Sequence, residues 1–176
     1  MTVRIRSATL ADLATLAALG ARTFSDTFGH LYPQDDLQVF LAEHHSEAAY
    51  AWMLTDPAYA LWIAEGGDQA IGYAQAGPAR LPHPEVHVGD GELDRLYVLD
   101  HAHNIGIGSA LLVEALRWLE RDGPRTLWLS VWSENHRAQR LYARHGFEYF
   151  AEYAFRVGRQ RDLEFIFRRK PGVSGR

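Results

Sequence analysis

The chain has 176 residues, enough for one domain with a buried core, and its apolar content of 47% is typical of a globular protein. A formal net charge of −4 argues against a nucleic-acid-binding protein, because such proteins are usually basic. The absence of cysteine excludes disulfides, thiolate metal sites and a cysteine nucleophile. No apolar run resembles a signal peptide or is long enough to cross a bilayer, so we expect a cytoplasmic protein without membrane contact.

The periodicity of apolar residues predicts seven strands and four helices. Val3 and Ile5 alternate with arginines, as in a strand, and Thr9 and Asp12 have the spacing of a helix capping box. In chain order, the predicted elements are a strand at 3–6, helices at 10–24 and 36–49, strands at 59–65, 69–76 and 92–99, a helix at 106–121, a strand at 126–132, a helix at 135–145, and strands at 147–157 and 162–168.

This order of elements predicts an α/β protein with a mixed sheet. Strand–helix–strand units in the second half favour parallel pairing, and the hairpins favour antiparallel pairing. Helices are therefore expected on both faces of one twisted central sheet. Segment 77–91 contains three prolines and no clear period, which predicts a loop. Residues 1–169 are predicted to form a single domain, followed by a flexible tail at 170–176.

The stretch DHAHNIGIGSALL, residues 100–112, places Gly106 and Gly108 at the start of a helix. The first N–H groups of a helix have no partner inside it, and together with the helix dipole they attract anions. Glycine lets a phosphate group approach this backbone closely, although two glycines also suit a tight strand-to-helix turn. Leu111 stands where a dinucleotide-binding motif requires glycine or alanine, and the Gly-Lys pair of a P-loop is absent.

A second motif lies in LSVWSENHRAQRLYARHGFE, residues 129–148. Asn135, Ala138 and Tyr142 are spaced by three and four residues, so they share one face of a short helix. The order of the strand LYV at 96–98, the Gly-x-Gly helix start and Asn-x-x-Ala-x-x-x-Tyr-x-x-x-Gly-Phe resembles the GCN5-related N-acetyltransferase (GNAT) family. The resemblance covers nearly the whole chain and implies the acyl-CoA N-acyltransferase fold.

The resemblance implies transfer of an acetyl group from acetyl-CoA to a primary amine of a small molecule, by direct attack in a ternary complex. The segments TFSDTF (23–28), SVW (130–132) and YAFRVGRQRDLEFIF (153–167) are similar to the bacterial spermidine/spermine acetyltransferase branch. A polyamine is therefore the expected acceptor, and a homodimer is expected because family members are often dimers. Two alternatives remain open: a CoA-binding sensor or interaction module without turnover, and acetylation of a protein N-terminus or lysine.

The resemblance assigns residues of both motifs to acetyl-CoA binding. They are Leu96, Tyr97, Val98, His103, Asn104, Ile105, Gly106, Ile107, Gly108, Ser109, Asn135, Ala138 and Tyr142. The backbone of Leu96 and Val98 is expected to bind the pantetheine arm like an added strand, in a gap between the strands at 92–99 and 126–132. His103 departs from the family, which has glutamine or arginine there, so weaker or pH-dependent pyrophosphate binding is expected.

Three side chains are candidates for catalysis. Tyr142 corresponds to the family's general acid, but a tyrosine pKa near 10 against a thiol pKa near 8.5 makes full proton transfer uphill by roughly 2 kcal/mol. Hydrogen-bond donation to the leaving thiolate is therefore expected. Glu92 is the first candidate for the base that deprotonates the amine, and Asp94, on the same strand face, is the second. The structural alternatives are a core tyrosine and ion-paired or solvated strand carboxylates.

Other expectations concern the surroundings of this site. The Tyr97 N–H is the expected donor to the oxyanion, and Asn135 is expected to hold the pantetheine arm or to cap its helix. Trp128 and Trp132 share a strand face and are expected in the core. The nine histidines lack supporting carboxylates or cysteines, so no metal site is expected.

The acceptor pocket is expected among the first helices and the loop at 77–91. Four acidic residues of those helices are candidates to attract a polycation, or else are ordinary solvated charges. They are Asp26, Asp35, Asp36 and Glu43.

Overall fold

The structure, a computed structural model, describes residues 3–172 as a seven-stranded mixed sheet with helices on both faces, as the sequence predicts. The strands are β1 (Val3–Ser7), β2 (Ala60–Gly66), β3 (Gln69–Pro78), β4 (Gly91–Val98), β5 (Leu127–Trp132), β6 (Glu148–Val157) and β7 (Gln160–Arg169). The helices are α1 (Leu13–Phe28), α2 (Gln34–His44), α3 (Glu47–Thr55), α4 (Ile107–Leu119) and α5 (His136–Arg144). The predicted Thr9–Asp12 capping box is present before α1.

The sheet order is β1-β2-β3-β4-β5-β7-β6. Among these neighbours β4 and β5 run parallel, and the other pairs are antiparallel. Leu111 and Leu112 of α4 are fully buried on one face of the sheet, and Leu16 of α1 with Tyr50 of α3 are fully buried on the other. The two faces together hold a core on either side of β4, the strand that carries several predicted site residues.

A gap opens between β4 and β5. These strands pair only at Gly91 with Leu127 and at Glu92 with Trp128, and no ladder joins them beyond that point. The narrow end of the gap therefore lies at Glu92, and the wide end lies toward the C-terminal ends of both strands. This is the gap that the family resemblance predicted between these two strands.

A β-bulge in β4 changes which face of the sheet its side chains occupy. Its register with β3 shifts so that Asp94 is left without a partner between Leu93 and Arg95. Without the bulge, alternation would place Leu96 and Val98 on the same face as Asp94. Instead these two side chains pack against the α4 core, together with Leu93. The bulge thus separates the carboxylate-bearing part of β4 from its apolar C-terminal half.

The prediction of one continuous helix at 36–49 is wrong, because this segment contains the end of α2 and the start of α3. Ser46 accepts a hydrogen bond from the Ala49 N–H at 3.2 Å, and this N-cap starts a new helix. His45, just before the cap, has left the helical conformation. The break lets His44 and His45 line a cavity described below.

The predicted and observed boundaries of the other elements differ by a few residues. The predicted loop at 77–91 is shortened to 79–90, because β3 extends through Pro78 and β4 begins at Gly91. Residues 170–172 of the predicted tail are exposed after β7, and residues 173–176 lie outside the described residues. Within the described part of the chain, no helix has the length and apolarity needed to cross a membrane.

Candidate active site

Two cavities meet at the gap between β4 and β5. One has a volume of about 440 Å³ and is lined by residues of α1, α2 and the sheet, and the other has a volume of about 680 Å³ and lies beside α4 and α5. We call the first the acceptor cavity and the second the cofactor cavity. Five residues line both cavities and are called the junction: Leu96, Tyr97, Trp132, Asn135 and Tyr142. Two reagents that enter from opposite sides of the sheet would meet there.

The start of α4 places free backbone N–H groups at the wall of the cofactor cavity. Gly106 is the N-cap and has a φ of +85°, a left-handed conformation that favours glycine. No side chain caps this end, so the N–H groups of Ile107, Gly108 and Ser109 are left for a ligand. A Cβ atom at Gly108 would have Leu141 as its nearest neighbour, at 3.5 Å, so packing within the protein does not require glycine there. The missing side chain instead keeps the backbone open to a phosphate group.

We expect Gly108→Ala to weaken acetyl-CoA binding about tenfold without lowering the Tm, because its methyl group crowds the ligand and not the protein. Gly106→Ala is the contrasting variant, since a left-handed alanine costs about 1 kcal/mol and should lower the Tm as well. Calorimetric titration and thermal unfolding measure the two effects. An unchanged Kd for Gly108→Ala would contradict a close approach of the ligand to α4.

The loop before α4 differs from the expectation. His103 lines the cofactor cavity, but its Nε2 lies 2.7 Å from the Val98 carbonyl oxygen, and its Nδ1 lies 3.5 Å from Asp100. The imidazole therefore fastens the loop to the end of β4. Asn104 lines the cavity in a left-handed conformation, with a φ of +67°. Ile105 is exposed and is not among the residues that line the cavity.

The positive charge of the cofactor cavity comes mainly from α5. Arg137, Arg140 and Arg144 are spaced by three and four residues, so they project from one helix face, and all three line the cavity. Asp100 and Glu134 are the carboxylates on the same wall. Guanidinium groups bind phosphate well, so these arginines are suited to the charged end of acetyl-CoA. The sequence analysis missed them, although their spacing was a usable signal.

The backbone of β4 directs alternate N–H groups into the gap. The Leu99 N–H donates to the Ile71 carbonyl of β3 at 2.9 Å. Because the bonding direction alternates along a strand, Tyr97 also directs its N–H toward β3, whereas Leu96 and Val98 face the gap. This orientation agrees with the prediction that Leu96 and Val98 present their backbone to the pantetheine arm. The prediction that the Tyr97 N–H meets the oxyanion is wrong, and the donors in position are those of Leu96 and Val98.

Helix α5 presents the motif residues to both cavities. Burial raises the pKa of Tyr142 well above its usual value, and the negative charge of Glu164 raises it further, so the hydroxyl is protonated at neutral pH. Asn135 caps α5, since its Oδ1 accepts a hydrogen bond from the Ala138 N–H at 3.1 Å. Asn135 lines both cavities, and its side-chain nitrogen makes no hydrogen bond to another described residue. Ala138 lines the cofactor cavity, where a small side chain leaves space.

Glu92 lines the acceptor cavity and is 6% exposed. Burial and then the charge of Asp94 raise its pKa to about 7, against the effect of N–H groups from the loop at 79–90. One of these, the Arg80 N–H, donates to Glu92 Oε2 at 2.6 Å. A carboxyl that ionises near pH 7 is suited to accept a proton. However, Leu96 of the junction is four residues away, roughly 13 Å along an extended strand, so a proton must travel to Glu92.

Asp94, the second candidate base, also lines the acceptor cavity, but it has close partners. Its carboxylate accepts a hydrogen bond from the Gln75 amide and lies 3.5 Å from the Arg80 guanidinium. Asp94 is therefore an ion-paired strand carboxylate, the structural alternative to a catalytic base. Its charge nevertheless helps to raise the pKa of Glu92.

A third carboxylate of the acceptor cavity, Glu164 on β7, was missed by the sequence analysis. Burial raises its pKa to about 7, while a hydrogen bond from Ser130 lowers it and the charge of Asp162 raises it. Alternation places Glu164 on the same strand face as Ile166, which is fully buried. An acidic residue on a buried strand face was therefore the available signal.

The four acidic residues that were expected to attract a polycation do not line the acceptor cavity. Asp26 lies 3.7 Å from Arg22, and Asp36 lies 3.2 Å from Arg159, so both pair on the surface. The first helices instead contribute aromatic rings, those of Phe24, Phe28, Tyr32 and Phe40. Trp128 is buried in the core, as predicted, whereas Trp132 belongs to the junction.

Comparisons with known proteins agree with this geometry. The model of the Acetyltransferase (GNAT) family matches residues 23–147. A protein of Mycobacterium tuberculosis (strain H37Rv), named Uncharacterized N-acetyltransferase Rv2669, is 31% identical over 163 residues, which cover 92% of this chain and 99% of that protein. An uncharacterized N-acetyltransferase of Lactobacillus delbrueckii subsp. lactis is 26% identical over 167 residues, with 95% and 96% coverage.

Solved structures share the fold. The PaiA N-acetyltransferase of Thermoplasma acidophilum, in complex with coenzyme A, has a TM-score of 0.76 at 21% identity, with 97% of this chain and 99% of that chain covered. A ribosomal-protein-alanine N-acetyltransferase of Brucella melitensis has a TM-score of 0.67 at 25% identity, with 95% and 99% coverage. From the family match and the full-length relatives, the chain belongs to the acetyltransferase (GNAT) family, and it is an acetyl-CoA-dependent N-acetyltransferase.

Proposed function

We propose that the protein acetylates the primary amine of a small molecule by direct attack in a ternary complex. The junction carries this proposal, because an amine in the acceptor cavity and an acyl donor in the cofactor cavity would touch the same five residues. Direct transfer needs both reactants held in contact, and the gap between β4 and β5 offers such a place. No side chain has to carry the acetyl group.

Acetyl-CoA supplies the acetyl group as an activated thioester. The free N–H groups at the start of α4 and the arginines of α5 are suited to its phosphate groups. The N–H groups of Leu96 and Val98 face the gap and are placed to stabilise negative charge on the carbonyl oxygen. The Tyr142 hydroxyl donates a hydrogen bond to the departing sulfur.

Glu92 is the proposed final acceptor of the proton that the amine must lose, with Asp94 as the second candidate. An alkylammonium pKa near 10.4 makes deprotonation at pH 7 cost roughly 4 to 5 kcal/mol, so a nearby base has a large effect. The pKa of Glu92, about 7, supports this role. Asp94 is less suited, since Gln75 and Arg80 already occupy its carboxylate.

A polyamine is the proposed acceptor. Three carboxylates line the acceptor cavity, and its volume of about 440 Å³ is in the range of small-ligand pockets. Arg80, Arg95 and Arg156 also line it, but Arg80 is paired with Asp94, Arg95 is bonded to the His44 carbonyl and Arg156 to the Gly158 carbonyl. The aromatic rings from α1 and α2 suit an alkyl chain with ammonium groups, because ring faces attract cations.

The test is a thiol-release assay with acetyl-CoA and a panel of spermidine, spermine, hexylamine and an alanyl peptide. We expect kcat/KM to be highest for the polyamines, with hexylamine lower by about tenfold because it lacks a second cation. Faster turnover of the peptide would overturn the small-molecule assignment. Binding of acetyl-CoA without turnover of any amine would favour the sensor alternative.

A further inference from the structure

We propose that Glu164 is a catalytic residue that binds the ammonium form of the acceptor at the junction, takes its proton and passes it toward Glu92. The proposal rests on the proposed function, since it assigns a role in acetylation of an amine. It adds a residue of β7 to a site otherwise built from β4, β5 and α5.

The sheet register places Glu164 at the wide end of the gap. Its partner on β5 is Trp132, a junction residue, whereas Glu92 is paired with Trp128, four residues earlier on the same strand. The two carboxylates therefore flank β5 at different levels, with Glu92 level with the narrow end of the gap and Glu164, on β7, level with its wide end. Glu164 is at the end where the acceptor and cofactor cavities meet.

The electrostatic environment indicates that Glu164 faces the junction. Its negative charge helps to raise the pKa of Tyr142 on α5 and that of Tyr97 on β4, after burial as the main cause in both. Both tyrosines are junction residues. Glu92 is not among the charges that act on Tyr142. An amine in contact with the junction would thus meet Glu164 before Glu92.

Glu164 lacks a cationic partner. Within residues 3–172, no arginine, lysine or histidine nitrogen lies within 4.0 Å of its carboxylate. The groups that act electrostatically with Glu164 are polar or acidic: Asp162 on β7, Ser130 on β5, Tyr153 on β6, Tyr97 on β4, Tyr142 on α5 and Tyr32 before α2. Arg80, Arg95 and Arg156 line the same cavity, but none of them forms an ion pair with Glu164. A half-buried carboxylate without an ion-pair partner is destabilised, and the ammonium group of a substrate would supply the missing charge.

Hydroxyl groups lie between the two carboxylates. The Ser130 hydroxyl lowers the pKa of Glu164, and the Tyr153 hydroxyl lies 3.2 Å from Ser130 Oγ. Tyr153 is the strand partner of Glu164, and both hydroxyl-bearing residues line the acceptor cavity together with Glu164 and Glu92. Burial raises the pKa of Tyr153, and the charges of Glu164, Glu92 and Asp94 raise it further. In the proposal, the hydroxyls of Ser130 and Tyr153 carry the proton from Glu164 toward Glu92. The similar pKa values of Glu164 and Glu92, both about 7, suit transfer in either direction.

An N–H bond of the ammonium group breaks and an O–H bond forms on Glu164, which leaves an electron pair on nitrogen. That pair forms the C–N bond to the acetyl carbonyl carbon as the C–S bond breaks. A second nitrogen proton ends on the sulfur, next to the Tyr142 hydroxyl. The proton on Glu164 leaves along Ser130 and Tyr153 toward Glu92, so one proton is released per acetyl group transferred.

The test is Glu164→Gln in the full chain, with Glu152→Gln as the matched control. Glu152 is an exposed carboxylate of β6, so its substitution changes the net charge equally but leaves the cavity intact. We expect Glu164→Gln to lower kcat/KM for spermidine about 10²-fold and to leave the Kd of acetyl-CoA unchanged. Calorimetry with the protein–CoA complex should also show weaker binding of spermidine to Glu164→Gln.

Three outcomes would overturn the assignment of Glu164. The first is kcat/KM within about threefold of wild type. The second is a parallel loss of Tm and acetyl-CoA affinity, which indicates a structural role. The third is an unchanged spermidine Kd in the CoA complex of Glu164→Gln. If the proposed function itself is wrong, the wild-type protein will turn over no amine of the panel. The calorimetric comparison of spermidine binding would still test the role of Glu164 in that case.

Discussion

Tyr142→Phe is expected to lower kcat about 10²-fold while the KM for acetyl-CoA stays within about threefold of wild type. The hydroxyl is buried at the junction, and its pKa is raised by burial and by the charge of Glu164. A thiol pKa near 8.5 is well below that of such a tyrosine, so full proton transfer is unfavourable. The hydroxyl therefore acts as a hydrogen-bond donor to the sulfur, an interaction that strengthens only as negative charge develops.

The measurement is steady-state thiol release, with Tyr149→Phe as the control. Tyr149 is 55% exposed on β6, so this variant loses a hydroxyl outside the site. Phenylalanine keeps the ring of Tyr142, which packs with Phe147 at a centroid distance of 6.3 Å, so the fold should be retained. If kcat is equal in wild type and Tyr142→Phe, the hydroxyl has no part in the transfer.

The second large effect is expected for Glu92→Gln, with kcat/KM lower by about 10²-fold at pH 7.5. The folded protein raises the pKa of both Glu92 and Glu164 to about 7, so each is only about one-tenth ionised at pH 6. Wild-type activity should therefore fall as the pH drops below 7. If both carboxylates must be ionised, a plot of log kcat/KM against pH should have a slope approaching two below pH 7. Glu92→Gln should reduce that slope to about one.

Asp94→Asn provides the control for this pH dependence. Removal of the Asp94 charge should lower the pKa of Glu92, because that charge is one of the causes that raise it. The acid limb of the wild-type profile should therefore shift to lower pH in Asp94→Asn. If kcat/KM falls over the same pH range and with the same slope in wild type, Glu92→Gln and Asp94→Asn, Glu92 is not part of the proton path.

Glu92→Gln and Glu164→Gln should differ in how they bind the amine. Glu164 contacts the reacting nitrogen in our scheme, whereas Glu92 lies farther along the gap. Spermidine binding to the CoA complex should therefore weaken more in Glu164→Gln than in Glu92→Gln. Both glutamates affect the pH profile, so that profile cannot show which of them meets the amine first. The comparison of spermidine binding shows it.

The sequence by itself determined the features that depend on short stretches of chain. Alternating apolar residues identified the strands, and the spacing of Asn135, Ala138 and Tyr142 placed them on one helix face. Gly106 and Gly108 identified the uncapped start of a helix, because an unpaired helix end is a local property. These local patterns were sufficient to recognise the family and its cosubstrate.

Local patterns also failed where two local preferences competed. Periodicity predicted a single helix at 36–49, but the Ser46 cap divides it into α2 and α3. The imidazole of His103 is bonded to the carbonyl of Val98, a contact that depends on the path of the loop. The Tyr97 N–H was misassigned because its direction depends on which neighbour of β4 is hydrogen-bonded.

Only the tertiary structure decided which carboxylates share the acceptor cavity. Asp26 and Asp36 precede β4 in the chain but lie on outer helix surfaces, while Glu164, 72 residues after Glu92, lines the same cavity. The pairing of β5 with β7 brings it there, and burial then raises its pKa to about 7. Pairing between distant strands and the loss of water around a charge both arise when the sheet assembles, so no short stretch of sequence encodes either one.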